Sequence, residues 1–162
     1  GEIVGNSPTM MVCYHKLPEK TREAEWFDAA GKRFIRTGDV GRFDEDGFLV
    51  LMDRRKDMII SGGFNIYPSD LETVLREHPK VADVAVTGVP SARWGETPVA
   101  FVIAEPGSGL TEEELMGWSS GKVNKAQRIA AVEFVEDLPR NGIGKVLKAA
   151  LKERWAASGR SL

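Results

Sequence analysis

A chain of 162 residues has room for one domain, or for a small domain with an additional piece. Its composition, 42% hydrophobic and 28% charged, is that of an ordinary globular protein, and a formal net charge of −2 gives no argument for nucleic acid or a membrane surface as the main partner. No apolar run approaches the ~18 residues of a membrane-spanning helix, and the single cysteine, Cys13, leaves no internal disulfide, which points to a reducing, cytoplasmic setting.

From the N-terminus, Gly1-Glu2-Ile3-Val4-Gly5-Asn6 has neither an initiator Met nor a basic-then-apolar leader pattern, and reads as the start of a piece of a longer chain. Glu2–Val4, Met10–Cys13, Arg33–Arg36 and Phe48–Met52 are predicted strands, separated by Pro, Gly and charged stretches. Asp44-Glu45-Asp46-Gly47 carries the Asp-Gly signal of a tight hairpin turn. Residues 17–30, charged and containing Pro18, read as a loop or frayed helix. After Asp53 the pattern changes. Met58–Ser61 is a short apolar strand, and Pro68 is suited to the first position of a helix, where its missing N–H costs nothing. Leu71, Val74 and Leu75 give that helix an apolar stripe. Val81–Val89 and Pro98–Ala104, rich in Val, Ile and Phe, are predicted strands. Thr111 and Glu114 have capping-box spacing ahead of Leu115. Ala131–Val135 is a further strand, and Val146, Leu147, Ala150, Leu151 and Trp155 mark a last amphipathic helix. The order β-α-β-β-α-β-α lacks regular βαβ alternation, which argues for an α+β fold, a small mixed sheet covered by helices. His15, His78 and one cysteine do not make a metal site, and His78, next to Pro79 at a predicted helix end, is expected to cap or to lie on the surface.

Four segments carry the chemistry. In Leu138-Pro139-Arg140-Asn141-Gly142-Ile143-Gly144-Lys145-Val146, one lysine follows two glycines at the predicted start of the last helix, an arrangement that brings a cation to something anionic. The plain alternative is a surface lysine in a first helical turn. The segment is not a phosphate-binding P-loop, because Val146 stands where Ser or Thr is needed and the glycine spacing differs. Asp39, after Thr37-Gly38, suits the two hydroxyls of a ribose, or is an ordinary turn aspartate. Asp53-Arg54-Arg55-Lys56-Asp57 is by itself a solvated charge run, and Ser61-Gly62-Gly63-Phe64-Asn65 by itself a turn.

Together and in order, these segments resemble the C-terminal part of adenylate-forming enzymes, the superfamily of acyl-CoA synthetases, peptide-synthetase adenylation domains and luciferases. The resemblance runs from Gly1 to about Trp155. It implies that residues 1–52 are the tail of a large N-terminal domain, part of its β-barrel lobe, and that residues 53–162 are a small α+β lid with its hinge near Lys56. It further implies that Lys145 is the adenylation lysine, that Asp39 holds the ribose hydroxyls, and that Arg54 contacts the ribose and phosphate region. By the same resemblance Gly62 and Gly63 border the pantetheine tunnel and Arg128 lies near the CoA phosphates. Lys125-Ala126-Gln127 lacks the proline and aromatic of many members. Trp94 resembles a residue that packs near CoA, and reads equally well as core.

The implied ligands are a carboxylic acid, ATP/AMP and CoA, with Mg2+ held mainly through the large domain. The run from Asp53 to Pro68 is most like fatty-acyl and aryl acid ligases, and Ile60 stands where luciferases have a second lysine. The Ser/Thr/Gly-rich phosphate loop and the aromatic-Gly-x-Thr-Glu segment of the family are not in these residues, so the chain is expected not to adenylate anything by itself. The alternatives are an adenylation domain that loads a carrier protein, and a noncatalytic interaction module that kept the fold. Strand edges in residues 1–52 are expected to be exposed, or paired with another copy of the chain.

Overall fold

The computed structural model describes residues 1–162. The chain divides into two compact units, Gly1–Lys56 and Asp57–Leu162. No helix is long and apolar enough to cross a membrane.

In the first unit, strand β3 (Arg33–Phe43) is the spine. β1 (Glu2–Gly5) pairs antiparallel along one edge, while β2 (Glu25–Phe27) and β4 (Leu49–Arg54) take opposite ends of the other edge. Residues 17–30 resolve into helix α1 (Pro18–Ala24), which has Pro18 in its first turn, followed directly by β2. The Asp44–Gly47 turn forms as the Asp-Gly signal predicts: Asp44 Oδ1 accepts the N–H groups of Asp46 and Phe48. Two expectations fail here. Met10–Cys13 is not a strand, because the Met11 and Val12 carbonyls accept from the Arg33 guanidinium (3.2 and 2.8 Å) instead of from a neighbouring backbone. Arg33–Arg36 is not a short strand either. The polar Thr37-Gly38-Asp39 continues it, and the register shifts beyond, between Val40 and Gly41.

The second unit is built on β7 (Val81–Ser91) and β8 (Gly95–Ala104), an antiparallel ladder closed by a tight turn. On the far edge of β8, β5 (Ile59–Ser61) pairs at one end and β9 (Ala131–Phe134) at the other, β9 in parallel. β6 (Phe64–Ile66), absent from the sequence reading, folds back on β5. Side chains along β7 and β8 alternate between two buried faces, which is why both strands read as near-continuous apolar runs. Val84, Val86, Ala100 and Val102 pack with Leu71 and Leu75 of α2 (Pro68–Arg76) and with Leu115 of α3 (Glu112–Ser120). Ala85, Val89, Val99 and Phe101 pack with Leu151 and Trp155 of α4 (Lys148–Ala157).

Local rules place the helix starts. Pro68 opens α2, and the Thr111 hydroxyl accepts the Glu114 N–H to start α3. The Glu114 carboxylate meets Lys80 at 2.8 Å, and that hydrogen bond is the largest of the influences that hold its carboxyl below its ordinary value. The outer edge of β7 is closed by side chains from α2: Glu72 accepts the Val86 N–H and Arg76 donates to the Val84 carbonyl. Glu72 also meets Lys148 at 2.9 Å, both side chains being about 15% exposed or less. The pair offsets the cost of a cation at the positive end of α4.

His78 corrects another expectation. It is neither a surface residue nor a helix cap: its ring is buried edge-on against Trp118 (centroids 4.9 Å apart), and its Nδ1 accepts the Lys80 N–H. Pro79 ends the helix there and the imidazole turns inward under α3.

Trp155 is 3% exposed and stacks edge-to-face on Phe101, so it fixes α4 to the sheet. Replacing Trp155 with Ala is expected to cost about 3–5 kcal/mol, read as a lower urea midpoint of the far-ultraviolet circular dichroism transition.

Candidate functional site

Lys145 lies in a hairpin, not at a helix start. Arg140 bridges Val146, the Asn141 N–H donates to the Lys145 carbonyl at 2.9 Å, and the Gly144 N–H donates to the Asn141 carbonyl. Asn141 Oδ1 accepts the N–H groups of Ile143 (3.1 Å) and Lys145 (2.9 Å). Gly144 has φ of +82°, a conformation side chains resist, and makes the turn possible. α4 begins only at Lys148, because residues 140–147 spend their hydrogen bonds on the hairpin. The Lys145 side chain is exposed, with no ion pair or side-chain hydrogen bond. Its ammonium is available to an anion.

In the first unit, Asp39 and Arg54 are direct cross-strand partners on β3 and β4, and Arg54 Nε lies 3.1 Å from Asp39 Oδ1. Both remain partly exposed. The contact is between one carboxylate oxygen and one guanidinium nitrogen. Next to them Gly38, Arg54, Arg55 and Lys56 line a depression of about 400 Å3. The Arg55 N–H is tied to the Gly38 carbonyl at 2.8 Å and its guanidinium to Glu2. Lys56 is exposed and is the last residue of the first unit.

In the second unit, Trp94 and Arg128 line one cavity of about 510 Å3 together with Phe64, Ser61 and Lys125, and Lys145 does not line it. Trp94 sits at the tip of the β7–β8 turn and is 47% exposed, so it is not a core residue; Arg93 lies over its ring. Lys125–Gln127 forms a one-turn 3-10 helix, and the Gln127 side chain reaches back to accept the Asn124 N–H at its start. The two glycines separate. A Cβ on Gly62 would stand 2.8 Å from Trp94 Cε3, whereas one on Gly63 meets nothing within 4 Å. Gly62 is therefore what lets the indole lie against the loop, and its N–H also bonds the Trp94 carbonyl.

Phe64, 64% exposed beside this cavity, was visible in the sequence only as an apolar residue after two glycines. Gly62→Ala is expected to displace the Trp94 indole resonance in a nitrogen-correlated NMR spectrum, while Gly63→Ala leaves it in place.

The sequence profile of the AMP-binding enzyme C-terminal domain matches residues 70–145. The chain is 39% identical over 158 residues to the long-chain-fatty-acid–CoA ligase FadD13 of Mycobacterium tuberculosis, covering 98% of this chain and 30% of that one. It is also 39% identical over 163 residues to the fatty acid–[acyl-carrier-protein] ligase ScoC of Streptomyces coeruleorubidus, covering 100% of this chain and 30% of ScoC. ATP-bound MatB from Rhodopseudomonas palustris matches with a TM-score of 0.88 at 36% identity, over 99% of this chain and 31% of that one. Apo MatB matches with a TM-score of 0.67. The chain thus spans about 30% of the length of the curated relatives it matches. Sequence and fold agree over essentially all of its length, and the chain matches the C-terminal part of adenylate-forming enzymes, with residues 70–145 carrying their AMP-binding C-terminal domain.

Proposed function

We propose that this chain is the C-terminal portion of an ATP-dependent acyl-CoA synthetase. In this reading residues 1–52 are the tail of a larger domain and residues 53–162 the lid. The reaction joins a carboxylic acid to AMP with release of pyrophosphate, then passes the acyl group to CoA. The observation that carries the reading is Lys145, an unpaired ammonium on an exposed hairpin whose backbone is fixed by Asn141. Attack of a carboxylate on the α-phosphate crowds negative charge on the phosphoryl oxygens, and a positioned cation stabilises that charge. A compact ammonium on a four-carbon stem suits the task, since it can stay hydrated until it engages.

Asp39 supports the nucleotide assignment. Its second oxygen accepts ribose hydroxyls while Arg54 holds the first and turns its remaining donors to phosphate. Mg2+ is commonly held largely through substrate phosphates. Its place in this reading is with the nucleotide phosphates and the remainder of the enzyme.

For the second half-reaction, the Gly62–Trp94 contact and the adjoining cavity with Arg128 and Lys125 support a path for the pantetheine arm of CoA, the CoA phosphates meeting the two cations. Lys56 is the hinge; the division of the chain immediately after it supports that assignment. Similarity to ScoC, a fatty acid–[acyl-carrier-protein] ligase, favours one second reading, loading of a carrier-bound pantetheine. Consumption of free CoA against acylation of a carrier protein decides between the two. Exposed Phe43, Phe48 and Leu51 on the β3–β4 hairpin support self-association of residues 1–162 taken alone, to be read by light scattering.

In the enzyme that contains this chain, Lys145→Ala is expected to slow adenylate formation by ~10²–10³-fold, measured as pyrophosphate release. Thioester formation from supplied acyl-adenylate should persist. Lys56→Pro is expected to do the reverse, slowing thioester formation more than adenylation. Unchanged adenylate formation with Lys145→Ala would refute the role given to that lysine.

A further inference from the structure

In the hairpin that carries Lys145, Val146 packs against the core and Arg140 makes the polar connection to the rest of the unit. Arg140 Nη1 donates to the Gly144 carbonyl at 2.6 Å, and Nη2 donates to Asp83 Oδ2 at 2.5 Å. Asp83 lies on the outer edge of β7. Its orientation is set by the Val84 N–H, which donates to Oδ1, and by Arg76 of α2 at 3.9 Å. The Gly144 carbonyl and the Lys145 N–H are the two ends of one peptide group. The carbonyl is held by Arg140 and the N–H by Asn141 Oδ1. A peptide group is planar, so fixing both ends fixes the direction in which the Lys145 Cα leaves it. Without that restraint Gly144 would let the peptide rotate, since glycine has the widest backbone freedom of any residue.

We infer that Arg140, anchored by Asp83, is a positioning residue for Lys145: it aims the lysine without touching the reacting atoms. This inference rests on the reading of Lys145 as the adenylation lysine. A planar guanidinium is needed because it must serve two acceptors on different sides, and a lysine ammonium reaches them with less geometric control. Arg140 and Asp83 are both partly exposed (43% and 30%), so the pair contributes little to folding and its effect falls on geometry.

The test uses Arg140→Ala, Arg140→Lys and Asp83→Asn. In residues 1–162, Arg140→Ala is expected to speed hydrogen exchange of the Lys145 amide while β7 and β8 amides keep their protection. In the enzyme that contains the chain, it is expected to lower kcat for adenylation by ~10- to 10²-fold, the usual scale for a misplaced catalytic group. The KM for ATP and thioester formation from supplied acyl-adenylate should not move. Arg140→Lys is expected to restore part of the loss, and Asp83→Asn to reproduce a smaller share of it without removing any packing.

Full adenylation kcat in Arg140→Ala, with Lys145→Ala inactive, overturns the positioning role and leaves the reading of Lys145 standing. Equal loss in both half-reactions, with lowered protection throughout the sheet, also overturns it, since that is a folding defect. Retained adenylation in Lys145→Ala removes both.

Discussion

The β7–β8 ladder is the constraint on which the second unit depends. It is buried on both faces, by α2 and α3 on one and by α4 on the other. A strand pair with two dry faces has no freedom to slip by one residue, because every apolar side chain would change faces. That fixed register sets two functional positions at once. The turn that closes the ladder presents Trp94, and the outer edge of β7 presents Asp83, to which the lysine hairpin is tied. The chemistry proposed for both half-reactions therefore hangs on one rigid element, by short connections.

Two lysines near the end of the chain show how the fold treats a charge according to its use. Lys148 is largely removed from water and is met by Glu72, whose other contacts close the β7 edge. Removing either partner would strand a charge in a poorly hydrated place. Lys145, three residues earlier, is left in water with no partner. An ammonium held by its own salt bridge would have to break it before meeting phosphate. Here the backbone is restrained instead, by Asn141 and Arg140, and the side chain stays free to engage. Order is supplied to the peptide and availability to the charge.

What was legible in the sequence was what short-range chemistry decides. Pro68 opens α2, Thr111 caps α3, Asp44–Gly47 makes its turn, and the apolar runs of β7 and β8 become the buried ladder. Two of the misreadings have a different cause, a partner distant in sequence. Met10–Cys13 loses its strand to a guanidinium more than twenty positions away, and His78 is drawn inward by Trp118. Lys145 was placed on a helix because its glycines were read as a lead-in, whereas Asn141 and Arg140 close them into a hairpin. At the candidate site the residue types were readable but not their pairing. Spacing gives no sign that Asp39 faces Arg54 across two strands, that Gly62 and not Gly63 backs onto Trp94, or that Asp83 reaches Arg140.

The pairing of Asp39 with Arg54 bears on how a nucleotide would be received. Asp39, partly exposed, meets Arg54 by direct cross-strand contact beside a depression lined by Arg54, Arg55 and Lys56. A partly exposed pair of this kind is worth at most about 1 kcal/mol, so exchanging some of its contacts for ribose hydroxyls and phosphate costs little. The pair also limits the rotamers of both side chains, which in the proposed reading would lower the ordering entropy of binding. Weak internal pairing, more than strong pairing or none, is what a site that must bind and release its ligand in every turnover requires.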